Sequence, residues 1–87
     1  MIKYTAFSEE GWEDYQYWKS KNDKQKLKKI EGFISEVKRT PYTGTGKPEQ
    51  LKYDRSHQWS RKIDEEHRFV YEIEDDILKI HQCKGHY

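Results

Sequence analysis

The chain begins with a segment in which apolar and polar residues alternate, and a segment of helical periodicity follows it. The alternation over residues 2–7 predicts a short, half-buried strand. Ser8 is a residue type favoured at helix N-caps, so we expect a first helix to begin after it. On that helix Trp12, Tyr15 and Trp18 recur at three-residue steps, which places them on one face.

A second stretch of helical periodicity starts after Asn22 and Asp23, which we expect to end the first helix and cap the next one. Its apolar residues recur at three- and four-residue steps, at Leu27, Ile30, Ile34 and Val37. This spacing places them on one side of a helix. Thr40 and Pro41 are expected to end it, because proline disfavours the helical conformation in the residue before it. The two helices therefore form a hairpin.

The period changes to two in the second half of the chain. Residues 40–50 hold both prolines and two of the five glycines, so we expect a loop there. Alternating segments then predict strands at Leu51–Tyr53, Trp59–Ile63, Arg68–Ile73 and Ile77–Cys83, with a tight turn at residues 74–76. Short connections imply an antiparallel meander of three or four strands. The predicted fold class is α+β: a short N-terminal strand, a helical hairpin that covers one face, and this meander.

Length and composition are those of a small single domain. The 87 residues fit one domain spanning 1–87. Hydrophobic residues make up only 32%, but 3 Trp, 7 Tyr and 3 Phe are present, so we expect an aromatic-rich core. The single cysteine excludes a disulfide within the chain. No apolar run is long enough to cross a membrane and the first residues do not resemble a signal peptide, so we expect a soluble, cytoplasmic protein.

Charges of opposite sign are separated into blocks, although 17 basic and 16 acidic residues leave a net charge of only +1. Residues 9–18 carry four acids, and residues 19–39 carry eight basic residues against three acidic ones. Residues 47–62 are again basic, whereas residues 63–79 hold seven acids against two basic residues. Such a polarised surface suits a polyanion on one side and a charged partner on another, although solvated helix faces give the same pattern.

Sequence motifs for phosphate loops, dinucleotide binding and zinc proteases are missing from the chain. The run from Gly44 to Lys47 resembles a phosphate-binding loop only in composition, since it follows a helix instead of preceding one. His81, Cys83 and His86 form a conceivable metal site, but this set lacks a fourth ligand and regular spacing. We therefore expect neither a metal ion nor another cofactor.

Acid–base chemistry without a metal is what the remaining polar residues could support. Breaking a phosphodiester in this way needs a base to take the proton from the ribose 2′-OH, cations to hold the charged phosphate, and an acid to protonate the leaving 5′ oxygen. Glutamate suits the base, histidine, with an ordinary pKa of about 6.5, suits the acid, and the arginine fork matches phosphate oxygens. The chain offers Glu49, Lys52, Arg61, Lys62, Arg68 and His86 for these tasks.

Each of these residues also has an ordinary structural explanation. Glu49 could be a plain loop carboxylate, and Arg68 could pair with a neighbouring glutamate. His86 lies one residue from the end of the chain, where fraying is common. We expect His57 and His67 to be structural or exposed. Residue types alone therefore leave a catalytic site as one alternative among several.

Four motifs, taken in order, resemble the YoeB or Txe-type toxins, which are mRNA interferases of the RelE superfamily. They are residues 39–52 with Glu49-Gln50-Leu51-Lys52, then Trp59-Ser60-Arg61, Glu66-His67-Arg68 and His86-Tyr87. The resemblance covers nearly the whole chain, including the aromatic first helix. It implies a RelE-like microbial RNase fold. It also implies a ribosome-dependent endoribonuclease, the toxin of a type II toxin–antitoxin pair, which cleaves mRNA in the ribosomal A site by metal-independent attack of the 2′-OH.

The resemblance implies a role for each matching residue. Glu49 matches the general base of the family, His86 its general acid, and Arg68 the residue that stabilises the transition state. Tyr87 matches a final aromatic residue that helps to orient the substrate. The basic residues beside the scissile phosphate are matched by Lys52, Arg61 and Lys62.

Three positions depart from the pattern of the family. Lys62 stands where Arg is common, which keeps the charge but loses the two-pronged donor. Lys84 and Gly85 stand where Arg-Tyr is common, so we expect a more mobile C-terminal end.

The resemblance also implies partners. A cognate antitoxin of the YefM or Axe type would fold onto the active face, and toxins of this kind often form homodimers. The ribosome and mRNA would be the other partners. The helix surface facing ribosomal RNA would carry Lys24, Lys26, Lys28 and Lys29. Two rival functions stay open: a catalytically inert RNA- or ribosome-binding module, and a ParE-like toxin that poisons a topoisomerase, against which Glu49 together with His86 argues.

Overall fold

The computed structural model describes residues 2–86, in which two helices cover one face of a five-stranded sheet. The elements, in chain order, are β1 (Tyr4–Phe7), α1 (Glu9–Ser20), α2 (Lys24–Arg39), β2 (Glu49–Gln50), a 3-10 turn (Tyr53–Arg55), β3 (Trp59–Lys62), β4 (Arg68–Glu74) and β5 (Ile77–Gln82). The predicted α+β class and the order of its parts are confirmed. Within residues 2–86, neither helix is long and apolar enough to span a membrane.

The strands lie in the order β1-β5-β4-β3-β2. Strands β2 to β5 form the predicted antiparallel meander. Strand β1 pairs with β5 in the parallel direction, with Tyr4 opposite Ile77 and Phe7 opposite Ile80. The two helices lie between β1 and the meander in sequence, and a parallel neighbour requires a crossover connection of this kind.

Both predicted helix starts are confirmed by side-chain caps. Ser8 Oγ accepts a hydrogen bond from the N–H of Gly11 at 3.1 Å. Asp23 Oδ1 accepts one from the N–H of Lys26 at 3.1 Å. Thr40 is the C-cap of α2, as the proline after it predicts.

The strand predicted at Leu51–Tyr53 is wrong. The pairing instead occurs earlier, where Glu49 and Gln50 form the two-residue strand β2. Leu51 is buried and its N–H still donates to the Gln58 carbonyl at 2.9 Å, but Tyr53 has a left-handed φ of 61°. That conformation cannot continue a strand, so the chain turns at Tyr53.

The core lies between the helices and the sheet. Its helical side consists of Trp18, Ile30, Phe33 and Val37, and its strand side includes Phe69, Tyr71, Leu78 and Ile80. Four of these eight residues are aromatic, as the composition predicts. The predicted common face of α1 is buried only in part, since Trp12 at its outer end is 49% exposed and packs edge-on against Phe7.

Candidate active site

Alternation along β3 divides its side chains between the two faces of the sheet. Arg61 pairs with the core residue Phe69 and therefore points to the helices, whereas Ser60 and Lys62 point to the other face. Glu49 lies opposite Ser60, and Arg68 lies opposite Lys62. Residues paired across neighbouring strands share a face, so Glu49, Lys62 and Arg68 lie on the side that the helices do not cover.

These three predicted residues line one open cavity of about 390 Å³. Lys47, Pro48 and Ser60 complete its lining. Three of the six side chains are cationic and one is a carboxylate. The structure therefore brings together the predicted base, the predicted transition-state residue and one predicted RNA-binding lysine, in a cavity suited to an anion.

The guanidinium of Arg68 is held by backbone carbonyls and not by a neighbouring glutamate. Its Nη1 donates to the carbonyl of Asp64 at 2.7 Å, with longer bonds to those of His67 at 3.2 Å and Glu65 at 3.4 Å. Among residues 2–86, every hydrogen bond from the Arg68 side chain leaves through Nη1. With respect to this described part of the chain, Nε and Nη2 are thus available to a phosphate oxygen.

Lys62 forms an ion pair with Glu65, 2.6 Å from Nζ to Oε1. The hydrogen bond from Lys62 lowers the pKa of Glu65 below its ordinary value. The Glu65 side chain is 90% exposed, and an ion pair with such a partner is weak in water. Lys62 can therefore exchange this partner for a phosphate at little cost.

The segment after β5 brings His86 close to Arg68 along the backbone. The Arg68 N–H donates to the Gly85 carbonyl at 2.9 Å, and the Gly85 N–H donates to His67 Nδ1 at 2.8 Å. His86 follows directly and is exposed. Gly85 is thus hydrogen-bonded through both its N–H and its carbonyl, and the mobility expected of the C-terminal end stays a prediction. The predicted role of Tyr87 lies outside the described residues.

Two buried contacts hold the same segment against α1. Trp18 Nε1 donates to the Cys83 carbonyl at 2.9 Å, and the Cys83 N–H donates to Asp14 Oδ2 at 3.0 Å. Burial raises the pKa of Asp14 above its ordinary value, and the hydrogen bond from Cys83 opposes that shift. His67 packs edge-on against Trp18 with 4.9 Å between ring centroids. Of the two alternatives expected for His67, structural or exposed, these contacts favour the structural one.

Arg61 is fully buried on the helix face and uses all five of its N–H donors within the protein. Nε donates to Tyr71 Oη at 3.3 Å, and Nη1 donates to Glu36 Oε1 at 2.6 Å. The other three donors bind the backbone carbonyls of Thr40, Thr43 and Thr45, at 2.7, 2.8 and 3.1 Å. With no N–H left for a phosphate, the predicted contact between Arg61 and RNA is not compatible with this structure.

Arg61 instead organises the loop that leads to Glu49. Tyr71 Oη donates to the Pro41 carbonyl at 2.6 Å, and the Thr45 hydroxyl donates to Glu36 Oε1 at 2.6 Å. The hydrogen bond from Thr45 and the charge of Arg61 hold the pKa of Glu36 below its ordinary value. Gly46 closes the loop with φ of 80°, and a Cβ there would lie 2.6 Å from the ring of Phe33.

The other predicted cations lie outside this cavity. Lys52 is exposed and lines a neighbouring cavity that also contains Glu49. Lys24, Lys28 and Lys29 are exposed on α2. Lys26 is only half-exposed, forms an ion pair with Asp64 at 3.1 Å and lies over the Trp18 ring, so it supports the loop beside Arg68.

The conceivable metal site is not assembled in the described part of the chain. Among residues 2–86, no three His, Cys, Asp or Glu side chains lie close enough to share a metal ion. Burial raises the pKa of Cys83 to about 12, so its thiol stays protonated and is a poor ligand. His81 Nε2 lies 2.6 Å from Glu72 Oε1.

Two cavity residues were missed by sequence reasoning, Lys47 and Ser60. Ser60 could have been found, because it alternates with Lys62 on the same strand. Lys47 could not have been found from the sequence, because its position depends on the conformation of the loop that Arg61 holds in place. The completed arrangement combines a carboxylate, several cations and a nearby histidine, which is the set that phosphodiester cleavage through the 2′-OH requires.

Comparison with known proteins places the chain in a family. A sequence model of the YoeB-like toxin of bacterial type II toxin–antitoxin systems matches residues 7–87. Toxin YoeB of Escherichia coli K12 is 52% identical over 81 residues, which cover 93% of this chain and 95% of that protein.

Solved structures are similar over the whole fold. The YoeB dimer from Staphylococcus aureus superposes with a TM-score of 0.89 at 40% identity, covering 100% of both chains. YoeB in a heterotetrameric YoeB–YefM toxin–antitoxin complex from the same organism gives 0.86 at 42% identity, covering 95% of both. With a family model and a close relative both spanning most of its length, this chain belongs to the YoeB-like toxins of bacterial type II toxin–antitoxin systems.

Proposed function

We propose that this toxin is a ribosome-dependent endoribonuclease that cleaves mRNA in the ribosomal A site by acid–base attack of the ribose 2′-OH, without a metal ion. The main support for the proposal is the cavity lined by Glu49, Lys62 and Arg68, which lies beside the segment that contains His86. A catalytically inert binding module would have no need for a carboxylate among these cations, since that carboxylate repels the phosphate.

Each residue has one task in the proposed reaction. Glu49 takes the proton of the 2′-OH, whose oxygen then attacks the neighbouring phosphorus. Arg68 and Lys62 hold the phosphate oxygens as negative charge develops on them. His86 gives a proton to the departing 5′ oxygen. The bond from phosphorus to that oxygen breaks, which leaves a 2′,3′-cyclic phosphate on one fragment and a 5′-OH on the other.

The proposed partners follow from the family. The Staphylococcus aureus relatives form a dimer and a complex with YefM, and we infer a homodimer and a YefM- or Axe-like antitoxin for this chain as well. The ribosome would position the mRNA, because the cavity offers cations for phosphate rather than a pocket that reads bases. The place of action would be the cytoplasm, where mRNA is translated.

Single-turnover cleavage on mRNA-programmed ribosomes tests the proposal. Wild type should cut ribosome-bound mRNA and leave naked mRNA nearly intact. Glu49→Gln should slow cleavage by about 10²–10⁴-fold, because it removes the general base while keeping the shape of the side chain. Glu13→Gln is the matched control, since Glu13 is exposed on α1 and carries the same charge. Ribosome binding should be unchanged in both variants.

Three outcomes would contradict the proposal. Equal cleavage of naked and ribosome-bound mRNA would remove the dependence on the ribosome. Binding without cleavage by wild type would identify an inert module. A Glu49→Gln rate equal to that of Glu13→Gln would show that Glu49 is an ordinary loop carboxylate.

A further inference from the structure

A second cavity adjoins the one just described. It measures about 270 Å³ and is lined by residues 49–53 and by Arg55. Glu49 belongs to both cavities. The two cavities therefore adjoin at Glu49, and a nucleotide chain with its phosphate beside Arg68 has room to continue into the second one. The volume is slightly below the range of about 300–1,000 Å³ found for drug-sized ligands, which suits a single nucleobase.

The loop around this cavity is fixed by its own hydrogen bonds. Gln50 Nε2 donates to the Ser56 carbonyl at 2.7 Å. Arg55 donates from both Nε and Nη2 to Gln58 Oε1, at 3.1 and 2.9 Å. Leu51 anchors the loop in the interior with 7% exposure. The cavity wall is thus built before any ligand arrives.

Tyr53 stands out in this loop because the fold does not bury its ring. The residue is 90% exposed, more than any other large hydrophobic residue described at the surface. Its φ of 61° is left-handed, a conformation that a bulky residue rarely adopts and that favours glycine. Strained backbone of this kind is concentrated at ligand sites. The loop therefore holds an aromatic ring at the rim of the cavity in spite of its backbone preference.

The charges beside Tyr53 match a nucleotide. Lys52 and Arg55 line the same cavity, and among residues 2–86 Glu49 is the one acid in its lining. Asp54, next to Tyr53 in the chain, is exposed and lies outside that lining. A flat ring flanked by cations is the arrangement that proteins use for single-stranded nucleic acid, in which the base stacks and the cations follow the backbone. A protein segment would need no aromatic platform of this shape next to a phosphate site.

We propose that Tyr53 is the platform of a nucleobase subsite, on which a base flanking the cleaved bond of the mRNA stacks. The subsite rests on the proposed function, since the shared residue Glu49 places it next to the cleaved phosphate. Stacking on one aromatic ring stabilises a base enough to change affinity by about 5- to 150-fold.

Four substitutions at one position separate this role from a structural one. Tyr53→Phe keeps the ring and should cleave like wild type. Tyr53→Leu and Tyr53→Ala should lower kcat/KM by about 5- to 150-fold. Tyr53→Gly should lose cleavage to the same extent, yet melt at the same or a higher temperature, because glycine tolerates the left-handed φ. A structural tyrosine would give the opposite result, a lower melting temperature with cleavage retained in the folded fraction.

A base-deletion experiment identifies the ligand. Ribosomes are programmed with mRNA that carries an abasic nucleotide on either side of the cleaved bond. At one of these positions the loss in kcat/KM should equal that of Tyr53→Ala, and combining the two changes should add nothing further. Full additivity at both positions, or wild-type cleavage by Tyr53→Ala, would overturn the subsite.

Failure of the proposed function would be visible separately. A fluorescent single-stranded RNA with a 2′-deoxy sugar at the cleaved position is bound but not cut, so its anisotropy reports binding alone. Tyr53→Ala should weaken this binding and Tyr53→Phe should not. If wild type cut no mRNA but Tyr53→Ala still bound the RNA more weakly than Tyr53→Phe, the proposed nuclease function would be wrong and the stacking site would be supported. If the difference were missing, the stacking site would fall by itself.

Discussion

At the scale of single residues, neighbours on β3 lie in opposite environments. Arg61 and Lys62 are adjacent basic residues, and the family resemblance predicts both beside the scissile phosphate. Strand geometry does not allow this, because successive side chains point to opposite faces. Lys62 reaches the cavity, whereas Arg61 is buried among Glu36, Tyr71 and the loop carbonyls. The apolar residues Trp59 and Ile63 alternate with Arg61 on one face of the strand, so the period-two pattern held this information in the sequence, but the charge of Arg61 concealed it.

Replacing each neighbour should therefore give a different phenotype. Arg61→Met should destabilise the fold by about 1–3 kcal/mol, because the loop carbonyls lose their donors and Glu36 loses its ion-pair partner. Lys62→Gln should leave stability within about 0.5 kcal/mol and slow cleavage instead. Urea unfolding and single-turnover cleavage measure the two effects. Equal loss of stability in both variants would contradict the division between the two faces.

The pH dependence of stability tests the ion pair between Arg61 and Glu36. The pKa of Glu36 is lowered from 4.5, so its charged form stabilises the fold above about that pH. This contribution disappears as the pH falls through the lowered pKa. Glu36→Gln should accordingly be less stable than wild type at pH 7 and approach it at low pH. A stability difference that does not change between pH 7 and pH 2 would show that the charge of Glu36 is unimportant.

At the scale of elements, the sequence was sufficient to predict helix caps and the periods of helices and strands, but not long-range contacts. Ser8 and Asp23 bond to backbone within three residues, so local sequence was sufficient to place both helices. The strand β2 has two residues, too few for any alternation to appear. The C-terminal segment depends on contacts such as Gly85 to His67 and Cys83 to Asp14, which are far apart in sequence. Only the folded sheet brings them together.

His67 is the residue through which the C-terminal segment should be weakened. His67→Phe keeps a ring against Trp18 but removes the acceptor for the Gly85 N–H. His67→Asn keeps an acceptor close to the position of Nδ1. We expect His67→Phe to accelerate hydrogen exchange at Gly85 and to slow cleavage about five- to tenfold, since one hydrogen bond contributes about 1 kcal/mol. His67→Asn should restore most of the loss.

A double variant with His86→Gln tests whether His67 acts on cleavage through His86. If His67 positions His86, adding His67→Phe to His86→Gln should cost no further cleavage rate. A full additional loss in the double variant would mean that His67 acts elsewhere, for example on Arg68 next to it. Unchanged exchange at Gly85 in His67→Phe would show that the hydrogen bond does not hold the segment.

At the scale of the whole molecule, two groups of basic residues lie on different faces. Lys47, Lys62 and Arg68 surround the cavity on the uncovered face of the sheet, whereas Lys24, Lys28 and Lys29 are exposed on the helix layer. The first group suits the scissile phosphate. The second group suits a polyanion that contacts the protein elsewhere, as ribosomal RNA would in the proposed function. If the proposed function is correct, the two groups would serve docking and chemistry separately.

The exposed lysines of α2 should contribute to docking and not to the rate of cleavage. Each phosphate contact adds about one unit to the slope of log affinity against log salt. Changing Lys24, Lys28 and Lys29 to Gln should thus weaken ribosome binding and flatten that slope by about 2–3, with single-turnover cleavage of the bound complex unchanged. In the control triple variant, Gln replaces Lys3, Lys19 and Lys21. These lysines are also exposed, so the control loses the same positive charge. An equal change of slope in both triple variants would show that only the net charge matters. An unchanged slope in the variant of Lys24, Lys28 and Lys29 would show that these lysines are ordinary solvated residues.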